Sequence, residues 1–131
     1  MWSLLEKPDR SREEDEEMVH AAHASRWHWS VVGTPVNFAR GEWQISRVYA
    51  VLGRGEPALV HALRCLEICR EHAIGDFDLA YAYEALARAW AALGGAEERS
   101  RYLALAQEAS EHVREADDRA LLLKDLAAIP E

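Results

Sequence analysis

Residues 18–29, Met-Val-His-Ala-Ala-His-Ala-Ser-Arg-Trp-His-Trp, concentrate side chains able to do chemistry. With the preceding Glu17 they contain Glu-x-x-His-x-x-His, which sets Glu17, His20 and His23 along one face of a helix. A carboxylate and neutral imidazoles are ligands for zinc or iron. A di-iron bundle, however, needs a second Glu-x-x-His on another helix and two further carboxylates, and no second copy occurs. Packing or capping is therefore the expected role of these histidines, with a metal site as the alternative. His20 and His23 are also candidates for titration near neutral pH. Trp27 and Trp29 fall on different sides of the same helix, so at least one is expected to cover an end or join an interface.

Cys65 and Cys69 lie four apart. An intact helical turn does not present such a pair in disulfide geometry, and two thiolates alone fall short of a metal site. Reduced, buried small hydrophobes are the expectation. There is no nucleophile elbow, phosphate loop or metalloprotease histidine pair. Neither catalysis nor a cofactor is expected, the alternative being a metal-binding protein or metal-dependent enzyme that uses the histidine-rich helix.

The elements that position these groups follow from caps and breakers. Ser11 and Glu14 form a capping box for a helix that runs to about Val32, where Gly33 stops it. Thr34-Pro35 opens a second helix, through Leu52. Gly53 ends that one, and Pro57 opens a third, to about Ala73. Gly75 closes it, Asp76 caps a fourth to Leu93, and Gly94-Gly95 follows. A fifth covers about Ala96–Arg114, and a short sixth begins at Asp117 or Asp118. Short loops make neighbouring helices antiparallel. The acidic run Glu13-Glu14-Asp15-Glu16-Glu17 suits the positive end of the first helix dipole. Residues 1–10 read as an N-terminal extension and 11–131 as one domain.

Composition agrees, since half the residues are hydrophobic and Ala and Leu lead over β-branched types. The formal charge of −8 argues against nucleic acid as a partner. No apolar run approaches the ~20 residues that span a bilayer, and the first residues do not read as a signal peptide. No membrane partner is expected, and a cytoplasmic setting is.

The helical hairpin recurs. Tyr49-Ala50-Val51-Leu52-Gly53 matches Trp90-Ala91-Ala92-Leu93-Gly94 at an offset of 41, which also carries Ile45 to Leu86 and Ala39 to Ala80. Backwards, Val60-His61-Ala62 falls on Val19-His20-Ala21 at the same offset, which adds His61 to the candidate metal ligands. A repeated helix–turn–helix unit indicates a short α-solenoid of antiparallel hairpins. Ile45, Ser46, Tyr49, Gly53, Ala58 and Cys65 resemble the tetratricopeptide repeat pattern. Leu86, Ala87, Trp90, Gly94 and Ala106 follow it again, with Arg99 in place of a small residue. The repeat is longer than that family's usual ~34 residues.

The resemblance implies a non-catalytic interaction module whose concave groove receives an extended peptide or a partner's helix. Its groove positions become Arg40, Trp43, Arg47 and Ala50, then Tyr81, Glu84, Arg88 and Ala91. Helical spacing independently puts Arg40, Trp43 and Arg47 on one face, and Tyr81, Glu84 and Arg88 on another. Three arginines beside two aromatics would suit an acidic or C-terminal segment. Alternatively, these arginines pair with Glu42, Glu84 or other local acids. Self-association into a homodimer is a further alternative, because a short solenoid leaves apolar ends.

Overall fold

The structure, a computed structural model, describes residues 2–131. Among them are seven helices and no strand: α1 (Trp2–Glu6), α2 (Arg12–Val32), α3 (Pro35–Val51), α4 (Gly55–Glu71), α5 (Asp76–Leu93), α6 (Ala96–Ser110) and α7 (Ala116–Ala127). From α2 to α7 each helix packs on the next, and α3 on α5 and α5 on α7 also touch directly. Hence α3, α5 and α7 form one continuous layer, against which α2, α4 and α6 are packed. This all-α array of helices packed on their neighbours is the architecture implied by the caps and breakers.

The 41-residue offset reappears as geometry at the turns. Gly53 and Gly94 take φ of 74° and 78°, in the left-handed region that glycine enters without a Cβ penalty. The next amide then returns to the helix, Arg54 N–H to the Tyr49 carbonyl at 2.8 Å and Gly95 N–H to the Trp90 carbonyl at 2.9 Å. Ala73 takes φ 52° at the third turn, and the Ile74 amide donates to the Cys69 carbonyl at 2.8 Å. Here an alanine holds the conformation that a glycine was expected to supply.

Small residues bring the layers together. A Cβ on Gly41 would stand 2.7 Å from Arg26 Cδ, so α2 crosses α3 where only hydrogen fits. Ser46 donates to the Ala58 carbonyl at 2.8 Å, joining α3 to α4 at the two small positions of the hairpin. Within the core Ile45, Leu86, Met18 and Leu122 are buried to 1% exposure or less, each contributing roughly 1.5–3 kcal/mol. Cys65 and Cys69 are buried free thiols, as expected of small hydrophobes.

Several boundaries differ from expectation, among them α4 ending at Glu71 before Ala73 and α7 beginning at Ala116 before Asp117. Helix α4 begins at Gly55, two residues before Pro57, because first-turn amides need no intrahelical acceptor and a proline fits there. Helix α6 stops at Ser110. Val113 then turns into the core beside Leu122 and Leu126, and the Arg114 amide donates to Asp76 at 3.1 Å. Asp76 is thus a helix residue that holds the α6–α7 connection, while Gly75 occupies the N-cap of α5. The expected extension contains α1, whose Leu4 and Leu5 pack on the cluster of Met18, Ala22 and Ile45.

Candidate functional site

The exposed face of α3 turns Arg40, Trp43, Gln44 and Arg47 into a groove of about 660 Å³, with Phe77, Asp78 and Tyr81 of α5 opposite. Helix α1 supplies Trp2 and Leu5 on one side, Trp29 comes from α2, and α7 supplies Leu121 and Asp125 on the other. Four rings run through it in sequence. Trp2 lies 5.8 Å from Trp43, Trp43 meets Tyr81 edge-on at 5.5 Å, and Tyr81 meets Phe77 at 4.7 Å. Such spacings lie in the favourable range for aromatic pairs.

Beneath the rings is a polar network with Glu84 at its centre. Glu84 is fully buried; it accepts the Trp43 indole N–H at 2.9 Å and the Arg88 Nε–H at 2.8 Å. Trp43 and Glu84 are 41 residues apart, so the repeat displacement sets corresponding α3 and α5 positions in contact. Arg88 also donates to the Asp125 carbonyl at 3.2 Å, while the Tyr81 hydroxyl donates to the Asp125 carboxylate at 2.6 Å. Burial, and then that carboxylate, push the Tyr81 phenol far above its ordinary range. These bonds pin α7 to α5.

Glu84 and Arg88, expected on the groove wall, are therefore a buried ion pair beneath it. Arg40 does face the groove, but its guanidinium grips Asp78 through two bonds of 2.8 and 3.2 Å. Arg47 differs. Its nearest carboxylate oxygen, on Glu84, is 3.7 Å away, and its buried Nε has no hydrogen-bond partner among the described residues. Burial, and then the Arg88 charge, pull it below the ordinary arginine value. The three arginines thus do not converge as free cations. Two are neutralised by Asp78 and Glu84, and Arg47 keeps an unused donor. Ala50 and Ala91 turn into the apolar clusters instead of the groove.

Part of the lining was missed in the sequence. Phe77 and Asp78 precede Tyr81 by one helical turn, a spacing that could have placed them on its face. Trp2, Leu121 and Asp125 come from outside the recurring segments and carried no comparable signal. Arg99, the departure from the small-residue pattern, donates to the Pro130 carbonyl at 2.7 Å. Its length is used to hold the C-terminal segment.

The histidine-rich helix forms a second polar cluster between α2, α3 and α4. His23 Nε2 is 2.8 Å from the Tyr49 hydroxyl, and His61 Nδ1 is 2.8 Å from Glu42, which also accepts from Arg26 Nε at 2.6 Å. The His23 and His61 rings are 5.5 Å apart, and Tyr49 stacks on His61 at 6.0 Å. Burial, then the His61 charge, lower the His23 pKa. Burial raises that of Glu42, but the bonds from His61 and Arg26 outweigh it and leave the carboxyl below its ordinary value. Glu17, His20 and His23 all remain exposed, and of the four candidate metal ligands only His23 and His61 face each other. Among the described residues no three His, Cys, Asp or Glu side chains gather as a metal site, and no helix is long and apolar enough to cross a membrane.

No protein-family model matches the chain, and neither a curated protein nor a solved structure is found to match it.

Proposed function

We propose that this chain is a non-catalytic interaction module of tetratricopeptide-like design, receiving an extended segment of another cytoplasmic protein in the groove along α3, α5 and α7, with α1 at one end. The observation that carries the reading is the row of three rings held within the array, Trp43, Tyr81 and Phe77, along a groove of about 660 Å³ that Trp2 closes at one end. Rings supply large contact areas at small conformational cost, which is why they dominate binding energetics at interfaces. The Glu84–Arg88 pair locks Trp43 from below, so that wall is preorganised and little ordering entropy remains to oppose binding.

Arg47 adds direction. A ligand carboxylate meeting the part of the Arg47 side chain that lines the groove, its Nε being buried, would gain a charge-assisted hydrogen bond. The surrounding carboxylates of Asp78, Glu84 and Asp125 make a single acidic group the better match than a run of them. An apolar segment with one carboxylate fits this arrangement.

A degenerate peptide array probed with the purified protein tests the reading, with hits measured by calorimetry. Trp43→Ala should weaken binding by roughly tenfold or more, and Arg47→Ala should weaken carboxylate-bearing hits selectively. Hits bound equally well by Trp43→Ala, or an array without hits, would remove the groove from the account.

A further inference from the structure

Trp2, the first ring of the row, is contributed by a five-residue helix with no fully buried residue. Its indole is 50% exposed even while it lies against Trp43. Helix α1 rests on α2 through the half-buried Leu4 and Leu5. The rest of its attachment is polar and short-range. Arg10 Nη1 donates to the carbonyls of Leu4, Leu5 and Lys7 at 3.1, 3.3 and 2.8 Å, while its Nε donates to Asp15 at 2.8 Å. Lys7 reaches Glu14 at 2.7 Å. One guanidinium therefore collects the orphan carbonyls at the end of α1 and fastens them to the first turn of α2.

The other rings are built differently. Trp43 is locked by the buried Glu84, Tyr81 by Asp125, and both belong to helices of seventeen and eighteen residues inside the array. A groove with three rigid rings and a fourth on a lightly latched segment has a removable occupant at one end.

We propose that α1 is a built-in competitor for the groove, and that the partner is a segment presenting an aromatic ring and neighbouring aliphatic side chains where Trp2, Leu4 and Leu5 now lie. The inference rests on the groove reading above and specifies the partner's chemistry. The ring takes the face of Trp43, the aliphatic pair takes the Met18–Ala22 side, and Arg10 sets how readily α1 gives way. Affinity for the partner is reduced by the fraction of molecules in which α1 is docked. Weakening the latch strengthens binding without altering any residue of the permanent wall.

A fluorescein-labelled peptide with the sequence of residues 2–10, Trp-Ser-Leu-Leu-Glu-Lys-Pro-Asp-Arg, serves as the probe. Its anisotropy is followed on the full chain, as wild type and as Arg10→Ala and Trp2→Ala. Trp2 is half exposed and the Arg10 side chain keeps 14% of its surface, so circular dichroism confirms that each variant keeps its helices. The expected result is weak binding to wild type, binding roughly tenfold tighter to both variants, and loss of that gain when Trp43→Ala is added. Equal affinity for wild type and both variants overturns displacement; Trp43-dependent hits on the peptide array would in that case leave the groove reading standing. A gain that Trp43→Ala leaves intact also overturns the proposal, since the probe then binds elsewhere. Light scattering on Arg10→Ala shows whether a second copy's α1 fills the site; a dimer dissociated by the probe supports the same assignment, and one the probe leaves intact opposes it.

Discussion

Replacing Glu84 with glutamine tests how the groove is held open. The side chain keeps its volume, but a carboxylate with no exposed surface becomes an amide. In the wild type it faces Arg88 Nε at 2.8 Å, the Trp43 indole at 2.9 Å and Arg47 at 3.7 Å. Glutamine retains one acceptor oxygen for those donors and aims its own N–H groups at the rest. Two largely buried guanidiniums, already repelling one another, then lose their counter-charge. Removing one partner of a buried ion pair costs about 3–5 kcal/mol; the surviving acceptor puts Glu84→Gln near the lower end, about 3 kcal/mol. At about 3–4 °C per kcal/mol for a chain of this size, Tm falls by about 10 °C. Urea denaturation followed by circular dichroism at neutral pH measures the loss. Adding Arg88→Met removes one stranded cation, so the double variant should recover at least about 1 kcal/mol relative to Glu84→Gln alone. A single-variant loss under about 1 kcal/mol, or a double variant less stable than the single, would refute the idea that Glu84 is the charge keystone.

Gly53→Ala and Gly94→Ala should each cost about 1 kcal/mol and by similar amounts, whereas Ala73→Gly relieves the strained third turn and should gain a few tenths to about 1 kcal/mol; urea midpoints decide all three. Tyr81→Phe removes the donor to Asp125 and should cost about 1 kcal/mol, with amide exchange rising in α7 and not in α4; an unchanged α7 would show that this bond does not pin it. His23 is held below its ordinary pKa by burial and then by the His61 charge, while Glu42 opposes this. The unfolded chain therefore binds this proton more readily, so the stabilisation is complete above about pH 6.5 and declines as pH falls below it. His23→Gln should flatten that part of the decline below about pH 6.5, and an unaltered slope counts against the assignment. The depressed Glu42 carboxyl acts lower, its stabilisation being lost only as pH falls below about 4.3.

The arginines show how far residue spacing carries. Their helical intervals correctly put Arg40, Trp43 and Arg47 on one face, because a face is decided within a single helix. Arg40 is paired by Asp78, 38 positions away on another helix, and Arg88 by Glu84, four positions earlier on its own. Intervals could not distinguish Arg88, which lies under the wall, from Arg47, which lies on it. The histidines make the same point: the Glu17–His20–His23 register is helical, and all three are exposed, but only His23 bonds Tyr49 and lies against His61.

From the sequence alone came helices α2 to α7, their order and the recurrence at 41 residues, since caps, proline positions and left-handed glycines act over a few neighbouring positions. Ser11 and Glu14 complete their capping box at 3.1 and 3.0 Å as the residue types require, and Gly53 and Gly94 turn the chain in the same way. Tertiary structure alone decided which charges cancel, that Asp125 closes the groove from α7, and that Trp2 folds back onto Trp43. Those outcomes depend on how helices cross and how close their side chains come in space, quantities that local residue preferences do not specify.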